Sequence, residues 1–253
     1  MSSIPKLLKL KDYVTLIGTS LGIIALICAC IGSREFLSLG FFLISLALGV
    51  DLIDGYIARK TNTVNEIGRE LDSLSDSLTF GITPAILTFQ AFKMGEIIDI
   101  FIIIGAICFA LGAILRLARF NISAGSGYTG VPTPVSALLI IAYFYANYFY
   151  AFAMGDFLEI ASYLIPFVMI LIGWFNITTY ISFGEKDKTI YLTFIIVAPL
   201  CPILGIIGIL NPNFLISIIL SIFFLCSFLL GIAVIIRGFL LHFKKKAKLK
   251  IKF

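Results

Sequence analysis

The chain has 253 residues, 60% of them hydrophobic and 13% charged, with a mean hydropathy of +1.09 and a net charge of +5. A soluble domain carries roughly 25% charged residues, so a water-soluble protein is excluded and a multi-pass membrane protein is expected. A single histidine, His242, and five cysteines without a CxxC pair argue against a zinc site or a histidine-based catalytic centre. The cysteines (Cys28, Cys30, Cys108, Cys201 and Cys226) all fall in apolar runs and read as small buried hydrophobes.

Residues Met1 to Asp12 interleave Lys6, Lys9 and Lys11 with Ile4, Leu7, Leu8 and Leu10, a pattern suited to a short interfacial helix. A cleaved signal peptide is the rival reading, but the apolar run that follows is long for a signal core. About eight membrane-spanning helices are predicted: Tyr13–Gly32, Phe36–Ala58, Leu74–Phe92, Ile97–Ala118, Pro134–Gly155, Phe157–Phe175, Thr189–Leu210 and Phe214–Ile236. Pro199 and Pro202 are expected to kink the seventh, and Gly18 and Gly22 form a GxxxG packing signal. The tail from Arg237 to Phe253 carries six lysines, which suits anionic lipid headgroups better than nucleic acid. With the N-terminus in the cytoplasm, all 19 Lys and Arg residues except Arg34 and Lys93 fall on the inner side, so the positive-inside rule favours both termini there. The expected fold is therefore all-α, a polytopic helical bundle forming one domain over residues 1–253 with a cytoplasm-facing cavity.

Residues 51–76 read DLIDGYIARKTNTVNEIGRELDSLSD. Asp51 and Asp54 are three apart and Asp72 and Asp76 four apart, so each pair shares one face of a helix. Gly55, Ala58 and Gly68 leave room for a ligand beside the backbone. A charge near the bilayer centre costs about 2.5–3.5 kcal/mol on insertion scales. Two divalent cations on the four carboxylates would relieve both that cost and the mutual repulsion, and Mg²⁺ or Mn²⁺ suits an all-oxygen site. Ordinary interfacial charge at helix ends is the plain alternative for either pair alone. Intramembrane acids also mark cation transporters, but these acids lie at helix ends and the chain shows no internal repeat.

The array Asp51-x2-Asp54-Gly55-x2-Ala58-Arg59-x8-Gly68-x3-Asp72-x3-Asp76 resembles the signature of the CDP-alcohol phosphotransferase family at every defined position. The resemblance implies two divalent cations on Asp51, Asp54, Asp72 and Asp76, and a CDP-linked lipid as donor with CMP as leaving group. It implies a CDP site built from Asp51, Asp54, Gly55, Ala58, Arg59, Gly68 and Asp72. Asp76 would be the base that deprotonates the acceptor hydroxyl, and the enzyme would be a homodimer. Many members carry Asn-x-x-Thr near the first helix where this chain has Asp12-Tyr13-Val14-Thr15, and no role is assigned to Asp12.

Phe80-Gly81-Ile82-Thr83-Pro84-Ala85, Arg116-Leu117-Ala118-Arg119-Phe120-Asn121 and Gly130-Val131-Pro132-Thr133-Pro134, together with Gly68 to Leu74, resemble the phosphatidylserine-synthase-like branch. That branch transfers to L-serine from CDP-diacylglycerol or, in archaea, from CDP-archaeol. Serine is a zwitterion whose carboxylate needs a cation. Arg116 and Arg119 are the candidates, with Asn121 for the amine, although both arginines also suit plain positive-inside anchors. Gly125, Ser126 and Gly127 suggest either a mobile loop or a linker. Glycerol phosphate or inositol phosphate is the alternative acceptor, and it would want a denser basic cluster.

Overall fold

A computed structural model describes residues 7–61, 66–122, 128–183, 200, 202–210 and 213–250. Apolar chain in a bilayer must satisfy its backbone within each segment, so helices dominate. They are α1 (Leu10–Ile31), α2 (Arg34–Thr61), α3 (Glu66–Asp76), a π-helical turn (Ser77–Ile82), α4 (Thr83–Phe92), α5 (Ile98–Ile122), α6 (Thr133–Met154), α7 (Glu159–Ile177) and α8 (Phe214–Lys250). Residues 202–210 are also helical. The one extended feature described is an antiparallel pair, β1 (Tyr128–Thr129) with β2 (Ser182–Phe183).

Among the described residues, six helices are long and apolar enough to cross a membrane: α1, the 34–57 part of α2, α5, α6, α7 and the 214–243 part of α8. The protein is a multi-pass membrane protein. Where the third span is expected, α3, the π-helical turn and α4 run without a break over 66–92. The expected seventh lies largely outside the described residues, Pro199 and Cys201 included. The expectation of buried cysteines needs correction. Cys28 is buried, but Cys30 and Cys226 face outward and Cys108 is half-buried. In a bilayer the outer surface is as apolar as the core, so an apolar run does not tell inside from outside.

Local chemistry explains the boundaries. At the start of α1 the Asp12 carboxylate reaches back to accept the Lys9 N–H at 2.7 Å. The helix ends at Gly32, in the left-handed region at φ 75°, whose N–H donates to Cys28 O. Pro84 lacks an N–H for the Phe80 carbonyl and would clash with it in a regular helix. The chain widens there instead, and the Thr83 N–H bonds five residues back to Leu78 O.

α6 forms the centre of the bundle and is buried along most of its length. Phe144 stacks on Phe41 of α2 with ring centroids 3.9 Å apart, and Tyr145 and Phe149 both stack on Phe224 of α8. The Tyr145 hydroxyl donates to Ser38 O at 3.1 Å. Glycines set the closest helix contacts. A Cβ on Gly112 of α5 would overlap the Gly173 backbone of α7, and a Cβ on Gly22 of α1 would lie 2.5 Å from Thr79 Oγ1.

Candidate active site

α1, the end of α2, and α3 with its π-helical turn line a small cleft. Thr15, Asp51, Asp54, Ser75, Asp76 and Thr79 supply its polar lining. The expected helical spacing holds: Asp51 and Asp54 lie on α2, and Asp72 and Asp76 on α3. Asp51, Asp54 and Asp72 each present one carboxylate oxygen, and these oxygens all lie within 4.8 Å of one another. Asp76 lies within electrostatic range of Asp51, Asp72 and Asp54, and of Arg116 on α5.

α1 brackets the acids. The Thr15 hydroxyl donates to Asp54 Oδ2 at 2.8 Å, and the Thr19 and Ser75 hydroxyls are 2.6 Å apart. Lys11 and Asp12 are both buried, with Lys11 Nζ 3.3 Å from Asp12 Oδ1. Lys11 also lies within electrostatic range of Asp54 and Asp72. Sequence reasoning placed none of Lys11, Asp12 and Thr15 at the site, reading Lys11 as part of an interfacial segment. The three- and four-residue steps that put them on one face of α1 were visible, but their pairing with residues some 40 to 60 positions away is a tertiary fact.

The donor set fits a hard divalent cation. It is all oxygen, it converges from two helices, and its spread matches ligands at about 2.0–2.6 Å from one ion. Four converging carboxylates, buried or half-buried and faced by Lys11 and Arg116, outnumber those two cations. A cluster of Asp51, Asp54 and Asp72 can hold a metal.

The other expected site residues separate. Gly68 is buried and Gly55 half-buried on the helices that carry the acids, whereas the side chains of Ala58 and Arg59 lie outside the described residues. Arg116 is buried and donates from Nη1 to Thr133 Oγ1 at 3.1 Å. Arg119 turns to the backbone and donates to Ile177 O at 2.6 Å, Thr129 O at 2.9 Å and Asn176 O at 3.2 Å. Asn121 bridges to α3, accepting from Ser73 at 3.0 Å and donating to Glu70 at 3.3 Å. Of the three residues expected to bind serine, Arg116 lies within electrostatic range of Asp76, and Arg119 and Asn121 tie α5 to its neighbours.

The model of the CDP-alcohol phosphatidyltransferase family matches residues 9–229. The chain is 34% identical over 232 residues to a CDP-diacylglycerol–serine O-phosphatidyltransferase of Methanocaldococcus jannaschii, covering 91% of this chain and 100% of that protein. It is 36% identical over 162 residues to an archaetidylserine synthase of Methanothermobacter thermautotrophicus, covering 62% and 66% of the two chains. A CDP-diacylglycerol–serine O-phosphatidyltransferase of Bacillus subtilis is 36% identical over 95 residues, or 36% of this chain and 52% of that one. With a match over most of its length and four aspartates gathered from two helices, the chain belongs to the CDP-alcohol phosphatidyltransferase family.

Proposed function

We propose that the protein transfers the phosphatidyl or archaetidyl group of a CDP-activated lipid to the hydroxyl of L-serine, releasing CMP. The observation that carries this reading is the convergence of Asp51, Asp54 and Asp72 beside Asp76 and Arg116, in a chain whose relatives are named for serine transfer. Members of the family depend on divalent metal. Two cations, Mg²⁺ or Mn²⁺, held by the four aspartates would neutralise the donor diphosphate and the charge that builds on departing CMP.

The chain's own groups do the rest. Asp76, one turn beyond Asp72, accepts the proton of the serine hydroxyl. The serine oxygen forms a bond to the lipid-bearing phosphorus as the bond from that phosphorus to the CMP oxygen breaks, and CMP leaves with the bonding pair. No covalent enzyme intermediate is needed. Arg116 holds the serine carboxylate on the Asp76 side of the cleft. Thr15 fixes the Asp54 carboxylate, so the acids are aligned before substrate arrives. By the charge asymmetry of the loops, the cleft opens to the cytoplasm and both termini lie there. The test is CMP release from CDP-diacylglycerol or CDP-archaeol with a panel of hydroxyl acceptors. L-serine should drive turnover, and turnover with glycerol phosphate but not with serine would reject the reading.

A further inference from the structure

Beside the acid cluster, where α5, α6 and α7 converge, a second set of polar side chains is buried. Arg116 donates to Thr133, which opens α6 and is fully buried. One turn along α6, Ser136 is fully buried and donates its hydroxyl to Asn176 Oδ1 on α7. Asn176 is itself fully buried, and its Nδ2 has no hydrogen-bond acceptor among the described residues. A buried amide NH₂ without an acceptor is unfavourable, and native proteins keep few of them. The surroundings hold Asn176 in place. Arg119 grips the Asn176 and Ile177 carbonyls, and the Val131 N–H donates to Phe175 O at 3.0 Å. Gly130, at φ 81°, packs so close that a Cβ there would overlap the Asn176 carbonyl oxygen.

Thr133 and Ser136 are three residues apart, so they share a face of α6 about 5–6 Å apart. Arg116 and Asn176 therefore flank the first turn of that helix, where the dipole is positive and carboxylates bind well. We propose that this turn is the carboxylate site for the acceptor, with Asn176 Nδ2 as its specificity-determining donor alongside Arg116. The inference rests on serine being the acceptor, and it assigns carboxylate recognition to Asn176, a residue absent from the sequence motifs. Ser136 holds Oδ1, which leaves the NH₂ as the donor for the ligand. The carboxylate supplies the missing acceptor, and the serine hydroxyl, three bonds from the carboxyl carbon, extends toward Asp76. The motif Gly130-Val131-Pro132-Thr133-Pro134 gains a purpose: it seats α7 closely and presents Thr133 to Arg116.

Steady-state CMP release by the full-length protein, with saturating CDP-lipid, tests this against L-serine, L-serine methyl ester and ethanolamine. The wild type should use L-serine far better than the two acceptors that lack a carboxylate. Asn176→Asp keeps the shape but replaces the donor with an oxygen. It should raise the serine KM roughly ten- to a hundredfold, leave the CDP-lipid KM unchanged, and shift preference toward ethanolamine. Ser136→Ala, which only frees the amide, should raise the serine KM less. Should Asn176→Asp fail to fold, Ser136→Ala and calorimetric titration of L-serine into the donor-free protein carry the test. An unchanged serine KM in wild-type-like folded variants, or a parallel rise in both KM values, would overturn the assignment while serine use by the wild type stands. Absence of serine-dependent CMP release in the wild type would instead overturn the acceptor reading, and this assignment with it.

Discussion

Asp76 differs from its three partners in position. Asp51, Asp54 and Asp72 present oxygens to one another, whereas Asp76 is within electrostatic range of all three and of Arg116. A metal ligand and a base respond differently to loss of charge. Asp76→Asn should lower kcat by about 10²–10⁴-fold with CDP-lipid affinity preserved, because a base acts in the transition state. Asp51→Asn and Asp72→Asn should instead weaken metal binding and donor binding together. Single-turnover rates and Mn²⁺ titrations on the three variants separate the cases, and near wild-type turnover by Asp76→Asn at saturating metal would show that the proton goes elsewhere. The two arginines of the α5 motif separate in the same way. Arg116→Ala should raise the serine KM by roughly ten- to a hundredfold. Arg119 holds three carbonyls from two segments, so Arg119→Ala should cost about 2 kcal/mol or more of stability. A fall in Tm with no selective change in serine KM is the expected signature. From sequence the pair looked equivalent, since both lie at the same end of one helix. Three residues is nearly a turn but not a full one, and the difference points Arg116 inward to Thr133 and Arg119 across to α7.

At the scale of elements, α1 and the run over 66–92 meet through Gly22 and Thr79, three residues past Asp76. Any side chain on Gly22 must push the π-helical turn, because the obstructing atoms include the Thr79 backbone. Gly22→Ala should therefore cost about 1–3 kcal/mol and lower metal affinity with it. Gly49→Ala is the matched control. Nothing lies within 4 Å of a Cβ there, and alanine favours a helix, so stability should hold or rise. Thermal unfolding in detergent and Mn²⁺ binding check both; equal behaviour of the two variants would show that this contact does not position the acids. The Gly18/Gly22 spacing made one such contact legible, because GxxxG is a local pattern. The Gly112–Gly173 approach has no local signature, since its members lie on α5 and α7. The π-helical turn was written in Pro84, yet a proline in an apolar run predicts only disruption, and tertiary packing decides its form.

For the whole molecule, hydropathy made the helical membrane architecture legible, and the periodicity of the aspartates made the acid half of the site legible. Of the proposed acceptor half, Arg116 was legible in the α5 motif, whereas Ser136 and Asn176 look like ordinary polar residues until α6 and α7 bring them together. The orientation proposed from charge alone is open to direct test. In a cysteine-free background, Glu96→Cys should react with an impermeant thiol reagent added outside intact cells, and Glu70→Cys should be protected; the reverse would invert the topology. The central claim is that four aspartates from two helices form a metal-dependent site for serine transfer. Its most direct measurement is CMP release by the purified protein from CDP-lipid and L-serine, with and without Mg²⁺ or Mn²⁺. The account predicts turnover that requires both serine and divalent metal, stops on chelation, and returns when metal is restored. Full turnover in excess chelator, or turnover indifferent to serine, would contradict it.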